Sequence, residues 1–160
     1  MKDARVVSHE FGHHVDFSMG HISSQNGIFI NTINDILESL KGKGQSQSEL
    51  RGKMRNIMSH ENAYYNAPLS DIFCALVRAN SRYDDLWGCA GHRPKDYKHD
   101  EVVRAEIFAN LFSIYSQNDN LAIFCLKDTF PDIITAFLEI TNGARDNDKQ
   151  TRTGYSKNNS

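Results

Sequence analysis

Apolar residues recur every three to four positions along most of the chain, and the strict alternation expected of a half-buried strand is scarce. The predicted helices cover residues 3–18, 30–40, 48–59, 68–77, 100–115, 121–129 and 131–140. Gly20 ends the first of these helices, and Trp87, Gly88, Gly91 and Pro94 interrupt any period between residues 80 and 100. The pattern therefore predicts a mainly α-helical domain with little or no sheet.

After Gly143 the pattern changes, because the remaining residues are almost all polar or charged. A segment this poor in apolar side chains cannot bury enough surface to offset the entropy lost on ordering. We predict one domain over residues 1–142, followed by a disordered polar tail over residues 143–160.

The composition is that of an ordinary globular protein, with 39% hydrophobic residues and a net charge of -2. This charge gives no sign of a nucleic-acid partner or of binding to a membrane surface. No apolar run approaches the roughly 20 residues that span a bilayer, and the N-terminus lacks a secretory signal, so we expect a cytoplasmic protein. Cys74, Cys89 and Cys125 form no C-x-x-C pair, and we expect them to be reduced thiols rather than zinc ligands.

The most specific feature of the first predicted helix is the motif H-E-x-x-H, which contains His9, Glu10 and His13. Residues four apart lie on one face of a helix, so both imidazoles can reach one metal ion. Glu10 lies about 100° further round the helix, where it can hold a water molecule on the metal without binding the metal itself. This layout is typical of a zinc hydrolase.

The rest of the segment bears on the alternative that the two histidines are only solvated or capping. Five large apolar side chains give the helix an apolar side that we expect to be buried: Val6, Val7, Phe11, Val15 and Phe17. Residues 59–64 begin in the same way as the motif, but Tyr64 stands where a second ligand is needed. We therefore expect His60 to lie in a loop or at the surface, and a metal site at residues 9–13.

A catalytic zinc site needs a third protein ligand besides two histidines, with one position left for water. Glu106 is the best candidate, since it lies within the apolar run of residues 102–112 and a buried carboxylate requires a partner. Asn110 follows one turn later on the same face and could hydrogen-bond a ligand imidazole. The alternatives are that Glu106 points to solvent or forms an ion pair with Arg104 or Arg78.

Two aspartates are further candidates for the site. Asp71 is a rival third ligand, although an aspartate in a first helical turn is more often favoured by the helix dipole. Asp16, on the motif helix, is a candidate to hydrogen-bond a metal ligand, as is Asn110.

The motif at residues 9–13, followed far downstream by residues 105–110, resembles the gluzincin class of zinc metallopeptidases. In that class two motif histidines and a glutamate from a second helix hold the metal. More narrowly, four patches resemble the metallopeptidase-like domains of phage minor head, or head morphogenesis, proteins and related mobile-element proteins: LSDI at residues 69–72, Gly91-His92 with Tyr97, the Glu106 segment, and Phe130-Pro131-Asp132. The resemblance covers about residues 5–140.

The resemblance implies a zincin domain whose Zn²⁺ is bound by His9, His13 and Glu106. It also implies a metallopeptidase that hydrolyses peptide bonds, with Glu10 activating the metal-bound water. By resemblance and by their chemistry, His92 and Tyr97 are candidates to stabilise the oxyanion of a tetrahedral intermediate. The alternative is that they are a loop histidine and an aromatic residue that anchors the loop.

Zinc peptidases commonly place a small sheet before the motif helix, whereas this helix begins almost at residue 1, so we expect a fragment of a longer protein. The expected partners are a peptide or protein substrate and further domains of a phage protein. The same resemblance implies expression in a bacterium or from a prophage. Virion association is the alternative to the cytoplasmic location. The competing function is a non-catalytic, metal-binding assembly domain of a phage head protein.

Overall fold

The computed structural model describes residues 4–41, 67–78 and 94–155, with side chains described as far as residue 143. Its elements are α1 (Ala4–Ser18), α2 (Ile22–Gln25), α3 (Gly27–Lys41), α4 (Ala67–Arg78), a 3-10 helix (Pro94–Tyr97), α5 (Asp100–Ser116), α6 (Asn120–Thr129) and α7 (Pro131–Tyr155). No strand occurs within these ranges, so the prediction of a mainly α fold is confirmed. The predicted helix at residues 48–59 and His60 lie outside the described residues.

The fold is organised around α5, which packs against α1, α2, α4, α6, α7 and the 3-10 helix. Its apolar residues are spread round the helix because neighbours cover it on several sides. Phe108 illustrates this, since its ring lies 6.0 Å from that of Phe29 on α3 and 5.4 Å from that of Phe137 on α7. Glu106 and Asn110 are therefore carried by the most enclosed helix of the described chain.

The first helix packs with the opposite side to the one predicted. Its buried residues are Gly12 and Asp16, and Val15 is only partly buried. Four of the five apolar residues that we expected to be buried are exposed by 47 to 65%: Val6, Val7, Phe11 and Phe17. The prediction of a buried apolar side is therefore wrong, because α5 contacts the small and polar face of α1.

Gly12 allows α1 to approach α5 backbone to backbone. A Cβ atom at this position would lie 2.8 Å from Ala109 Cα and 2.9 Å from Ala109 O. These are backbone atoms of a packed helix, so they cannot move aside as the tip of a flexible side chain would. Any residue larger than glycine would push the two helices apart.

Hydrogen bonds fix the register of α1 on α5 where the start of α1 meets the end of α5. The Ser113 hydroxyl donates to the carbonyl oxygen of Arg5 at 3.2 Å, and Gln117 Nε2 donates to Ser8 Oγ at 3.1 Å. Because Arg5 lies beside Ser113 while Gly12 lies beside Ala109, the two helices run antiparallel.

Asp16 holds the turn between α1 and α2 and does not belong to the metal site. Its carboxylate accepts hydrogen bonds from the Ser23 amide at 2.8 Å and from the Ser23 hydroxyl at 2.7 Å. Its own carbonyl oxygen accepts from the amide of His21, which has a left-handed φ of 58°. The interpretation of Asp16 as a partner of a metal ligand is therefore wrong, because among the described contacts its carboxylate bonds to Ser23, and the histidines contact Asn110, Glu106 and each other.

Three other observations complete the comparison with the sequence. The last helix runs to Tyr155, into the segment predicted to be a polar tail, and the division into a domain and a disordered tail stays a prediction. Cys125 is free, as expected, whereas Cys74 is disulfide-bonded, which corrects the expectation of a reduced thiol. None of the described helices has the length and apolarity needed to cross a membrane.

We predict that Gly12→Ala lowers the free energy of unfolding by about 1–3 kcal/mol, because overpacking against Ala109 outweighs the better helix propensity of alanine. The matched control is Gly143→Ala, since a Cβ atom there has no neighbour within 4 Å. That variant should be neutral or up to about 1 kcal/mol more stable. Urea unfolding of the metal-free protein measures both, and equal stability of the two variants would contradict the close approach.

Candidate metal centre

Three side chains from α1 and α5 converge where the two helices face each other. Atoms of His9, His13 and Glu106 that could bind a metal all lie within 4.8 Å of one another. His9 Nε2 lies 3.1 Å from His13 Nε2 and 3.5 Å from Glu106 Oε2, and His13 Nε2 lies 3.5 Å from Glu106 Oε1. These are the three ligands that the sequence predicts.

The separations suit a tetrahedral zinc ion. Zinc bonds of 2.0–2.2 Å at tetrahedral angles place ligand atoms about 3.3–3.6 Å apart. The 3.1 Å between the two Nε2 atoms lies close to that spacing, whereas the two 3.5 Å distances end on different oxygens of Glu106. One ligand atom from each residue lies within 4.8 Å of the other two. Two imidazoles and one carboxylate are also a donor set that zinc commonly takes in hydrolases. The donor types and their close grouping are therefore compatible with a zinc ion.

Asn110 fixes the orientation of the His9 ring. Its Nδ2 donates to the carbonyl oxygen of Glu106 at 2.9 Å, which leaves Oδ1 to accept from His9 Nδ1 at 3.0 Å. A proton held on Nδ1 leaves the lone pair on Nε2, which is the nitrogen that faces His13 and Glu106. The predicted hydrogen bond between Asn110 and the His9 imidazole is therefore confirmed, and with His9 Nδ1 as its donor the ring is in the tautomer that metal binding through Nε2 needs.

The electrostatic surroundings favour the neutral form of His9. Burial of the ring lowers its pKa below 6.5, and the charge of Glu106 opposes this effect while His13 adds to it. A neutral imidazole is the form that binds a metal, so His9 does not have to lose a proton at neutral pH. The side chains of His9 and Glu106 are 15% and 13% exposed, which leaves a narrow opening to solvent.

Glu10 lies beside this cluster and is not part of it. It is exposed, it is absent from the group of ligand atoms, and its charge raises the pKa of His9. A carboxylate that is near the three ligands and open to solvent can contact a water molecule and a substrate at the same time. This is the position that the H-E-x-x-H spacing predicts for Glu10.

The structure bears on the alternatives for Glu106 and Asp71, except for the ion pair of Glu106 with Arg78. Arg104 donates to Asn34 Oδ1 at 3.3 Å and forms no ion pair with Glu106, and the side chain of Arg78 lies outside the described residues. Asp71 is buried on α4, 7% exposed, and is not among the clustered ligands. Glu106 is therefore the carboxylate that completes the three-residue cluster.

Of the two candidates for stabilising an oxyanion, the structure describes only Tyr97. Tyr97 is 2% exposed and belongs to the hydrophobic core, in keeping with the alternative of an anchoring aromatic residue. Its catalytic role stays a prediction. His92 lies outside the described residues.

What the sequence analysis missed is the contact of Gly12 with Ala109, and the small residues at both positions were the only signal of it.

Comparison of the chain with protein-family models, with curated proteins and with solved structures finds no match.

We predict that the protein binds one zinc ion per chain, and that His9→Ala or His13→Ala abolishes this binding because each removes a ligand. Asn110→Ala should keep the site but weaken zinc binding by roughly 10- to 100-fold, since the His9 ring loses its orienting partner. Competition with a chromogenic chelator measures the affinity. The matched control is His14→Ala, because His14 is exposed and outside the cluster. Unchanged zinc content in both ligand variants would rule out this site.

We also predict that the metal-free protein loses stability as the pH falls. Because burial lowers the pKa of His9 below 6.5, the unfolded chain binds this proton more tightly than the folded chain does. The stability contributed by neutral His9 is thus complete above 6.5 and declines as the pH drops through 6.5 towards the lower folded pKa.

Urea midpoints in the presence of EDTA at several values between about pH 8 and pH 5 test this dependence. His9→Gln should reduce the decline, whereas His14→Gln should keep it. If wild type and His9→Gln decline equally, His9 is not the group responsible.

Proposed function

We propose that this chain is a zinc-dependent metallopeptidase domain of the gluzincin type. The observation that carries the proposal is the convergence of His9, His13 and Glu106 within 4.8 Å, with an exposed Glu10 beside them. The zinc assignment follows from this donor set and its spacing. The resemblance to gluzincins supports the reaction class.

Each residue of the site has a defined task in this proposal. His9 and His13 bind the metal through Nε2, Glu106 binds it through its carboxylate, and Asn110 keeps the lone pair of His9 turned towards the ion. Zinc bound there would polarise a peptide carbonyl and lower the pKa of a coordinated water to about 7.

Glu10 supplies the proton transfers. Its carboxylate accepts a proton from the water whose oxygen attacks the peptide carbonyl carbon. When the carbon–nitrogen bond breaks, Glu10 gives that proton to the departing amine. The exposure of Glu10 gives a substrate direct access to it. Of the two oxyanion candidates, Tyr97 would have to leave the core to reach a carbonyl, so no step is assigned to it.

The wider setting is part of the same proposal. By resemblance, the domain belongs to a phage or mobile-element protein, where it acts on a peptide or protein substrate and adjoins other domains. Disulfides are rare in cytosolic proteins and persist on virion surfaces. The disulfide of Cys74 therefore supports virion association over a cytoplasmic location.

A non-catalytic assembly domain is the second candidate, and one observation favours it. The cluster joins α1 to α5, and two of its three side chains are at least 85% buried. A metal ion held there would stabilise the packing of the two helices, whatever Glu10 does.

We predict that Glu10→Gln keeps zinc affinity and abolishes peptide hydrolysis, because glutamine retains the shape and hydrogen bonds of the side chain but cannot accept the proton. The measurement is cleavage of a fluorogenic peptide library by the zinc-loaded protein. Glu139→Gln, which changes an exposed glutamate of α7, is the matched control and should keep the wild-type rate.

Two results would count against the enzyme. If Glu10→Gln cleaves peptides at the wild-type rate, Glu10 is not the general base. If zinc-loaded wild type cleaves no peptide, the assembly domain is the better account.

A further inference from the structure

The exposed side of α1 carries an unusual amount of apolar surface. Of the seven large hydrophobic side chains that are exposed in the described chain, four lie on this one helix: Val6, Val7, Phe11 and Phe17. Single exposed apolar residues need no explanation, but a group on one face marks a binding surface.

Two of these residues flank the proposed catalytic groups on a single stripe of the helix. Val6, Glu10, His13 and Phe17 are spaced i, i+4, i+7 and i+11, which places them along one face. With a rise of about 1.5 Å per residue, Val6 precedes Glu10 by about 6 Å and Phe17 follows His13 by about 6 Å. The stripe therefore has an apolar side chain at each end and the catalytic groups in the middle.

The stripe has the length of a short extended peptide. Val6 and Phe17 are about 16 Å apart along the axis, which about five residues of an extended chain would span at about 3.3 Å each. The Phe17 ring packs edge-to-face against the His21 ring, with the ring centroids 5.2 Å apart. Val102, which is 36% exposed, lies one turn before Glu106 on α5 and adds apolar surface next to the cluster.

A second copy of the chain fits this surface less well than a peptide. A stable protein interface takes about 20–30 residues from each partner, whereas the apolar part of α1 offers four side chains. An extended peptide needs less surface, and it must cross this face if its scissile bond is to reach Glu10. The surface is thus continuous with the metal centre that would act on its occupant.

We propose that the α1 stripe binds an extended polypeptide segment with large apolar side chains within two to three residues of the scissile bond on both sides. This inference rests on the proposed peptidase function and names its substrate class. Val6 and Phe17 are specificity-determining residues, one on each side of the bond that is cleaved. Such segments are accessible in unfolded chains and in exposed termini.

Binding can be tested separately from catalysis with the zinc-loaded Glu10→Gln protein. The probes are two pools of fluorescein-labelled, end-blocked octapeptides, one with leucine and phenylalanine at the four central positions and one with serine and glycine there. Fluorescence anisotropy should show roughly 10-fold tighter binding of the apolar pool than of the polar pool. Phe17→Ala or Val6→Ala should lower the affinity for the apolar pool by roughly 5- to 10-fold.

Phe124→Ala is the matched control, because Phe124 is 70% exposed but lies on α6, and it should leave binding unchanged. All three substitutions remove exposed side chains, so folding should be preserved, and circular dichroism with zinc titration verifies it. Equal binding of the two pools would overturn the inference, as would a dimer in sedimentation that Phe17→Ala dissolves.

The failure of the inference can be told apart from the failure of the enzyme. If wild type cleaves peptides but Phe17→Ala leaves both the cleavage preference and the binding of the apolar pool unchanged, the substrate assignment is wrong and the peptidase stands. If the apolar pool binds through Phe17 but zinc-loaded wild type cleaves nothing, the surface binds apolar peptides and hydrolysis is refuted.

Discussion

The close approach of α1 to α5 at Gly12 is the constraint on which the candidate site depends. A Cβ atom at residue 12 would meet the backbone of Ala109 at 2.8 Å, so only glycine permits this contact. Next to it, His9 meets Asn110 and His13 meets Glu106. A site that divides its ligands between two helices needs the helices to be this close, and here the backbone itself sets the distance.

The same contact reverses the usual arrangement of an amphipathic helix. The buried face of α1 carries glycine, aspartate and the two histidines, and the exposed face carries valine and phenylalanine. Burial of polar groups is tolerated only when they are hydrogen-bonded. Asp16 meets this condition through Ser23, His9 through Asn110, and the carbonyl of Arg5 through Ser113. The helix is held in place by specific polar contacts, and its apolar surface is left exposed.

The arrangement also explains how one cluster can serve either of the two proposed functions. The contact between α1 and α5 holds His9, His13 and the Glu106 carboxylate close together, which lowers the cost of ordering a metal site. Holding two helices together requires only these three residues. Hydrolysis requires in addition an accessible base and a surface for substrate, and in our proposal these are Glu10 and the apolar face of α1.

The sequence by itself determined the helical fold and the chemistry of the site. Helical periodicity predicts α3 to within three residues at its start, because a face of Ile33, Leu37 and Leu40 must be buried wherever it packs. The spacing of His9 and His13 is local geometry, so it also follows from sequence. Glu106 could be singled out as a carboxylate within an apolar run, and Asn110 by its position one turn later.

Only the tertiary structure decided which face of α1 is buried. Periodicity shows that the helix has an apolar side, and burial of that side is the ordinary expectation for a domain. The outcome was the opposite, because the contact of Gly12 with Ala109 and the hydrogen bonds to α5 join residues about 100 apart in the chain. Asp16 was misplaced for the same reason, since its partner Ser23 lies across a left-handed turn that no local pattern indicates. Local spacing therefore identified the groups that can do chemistry, and long-range packing determined which of them meet.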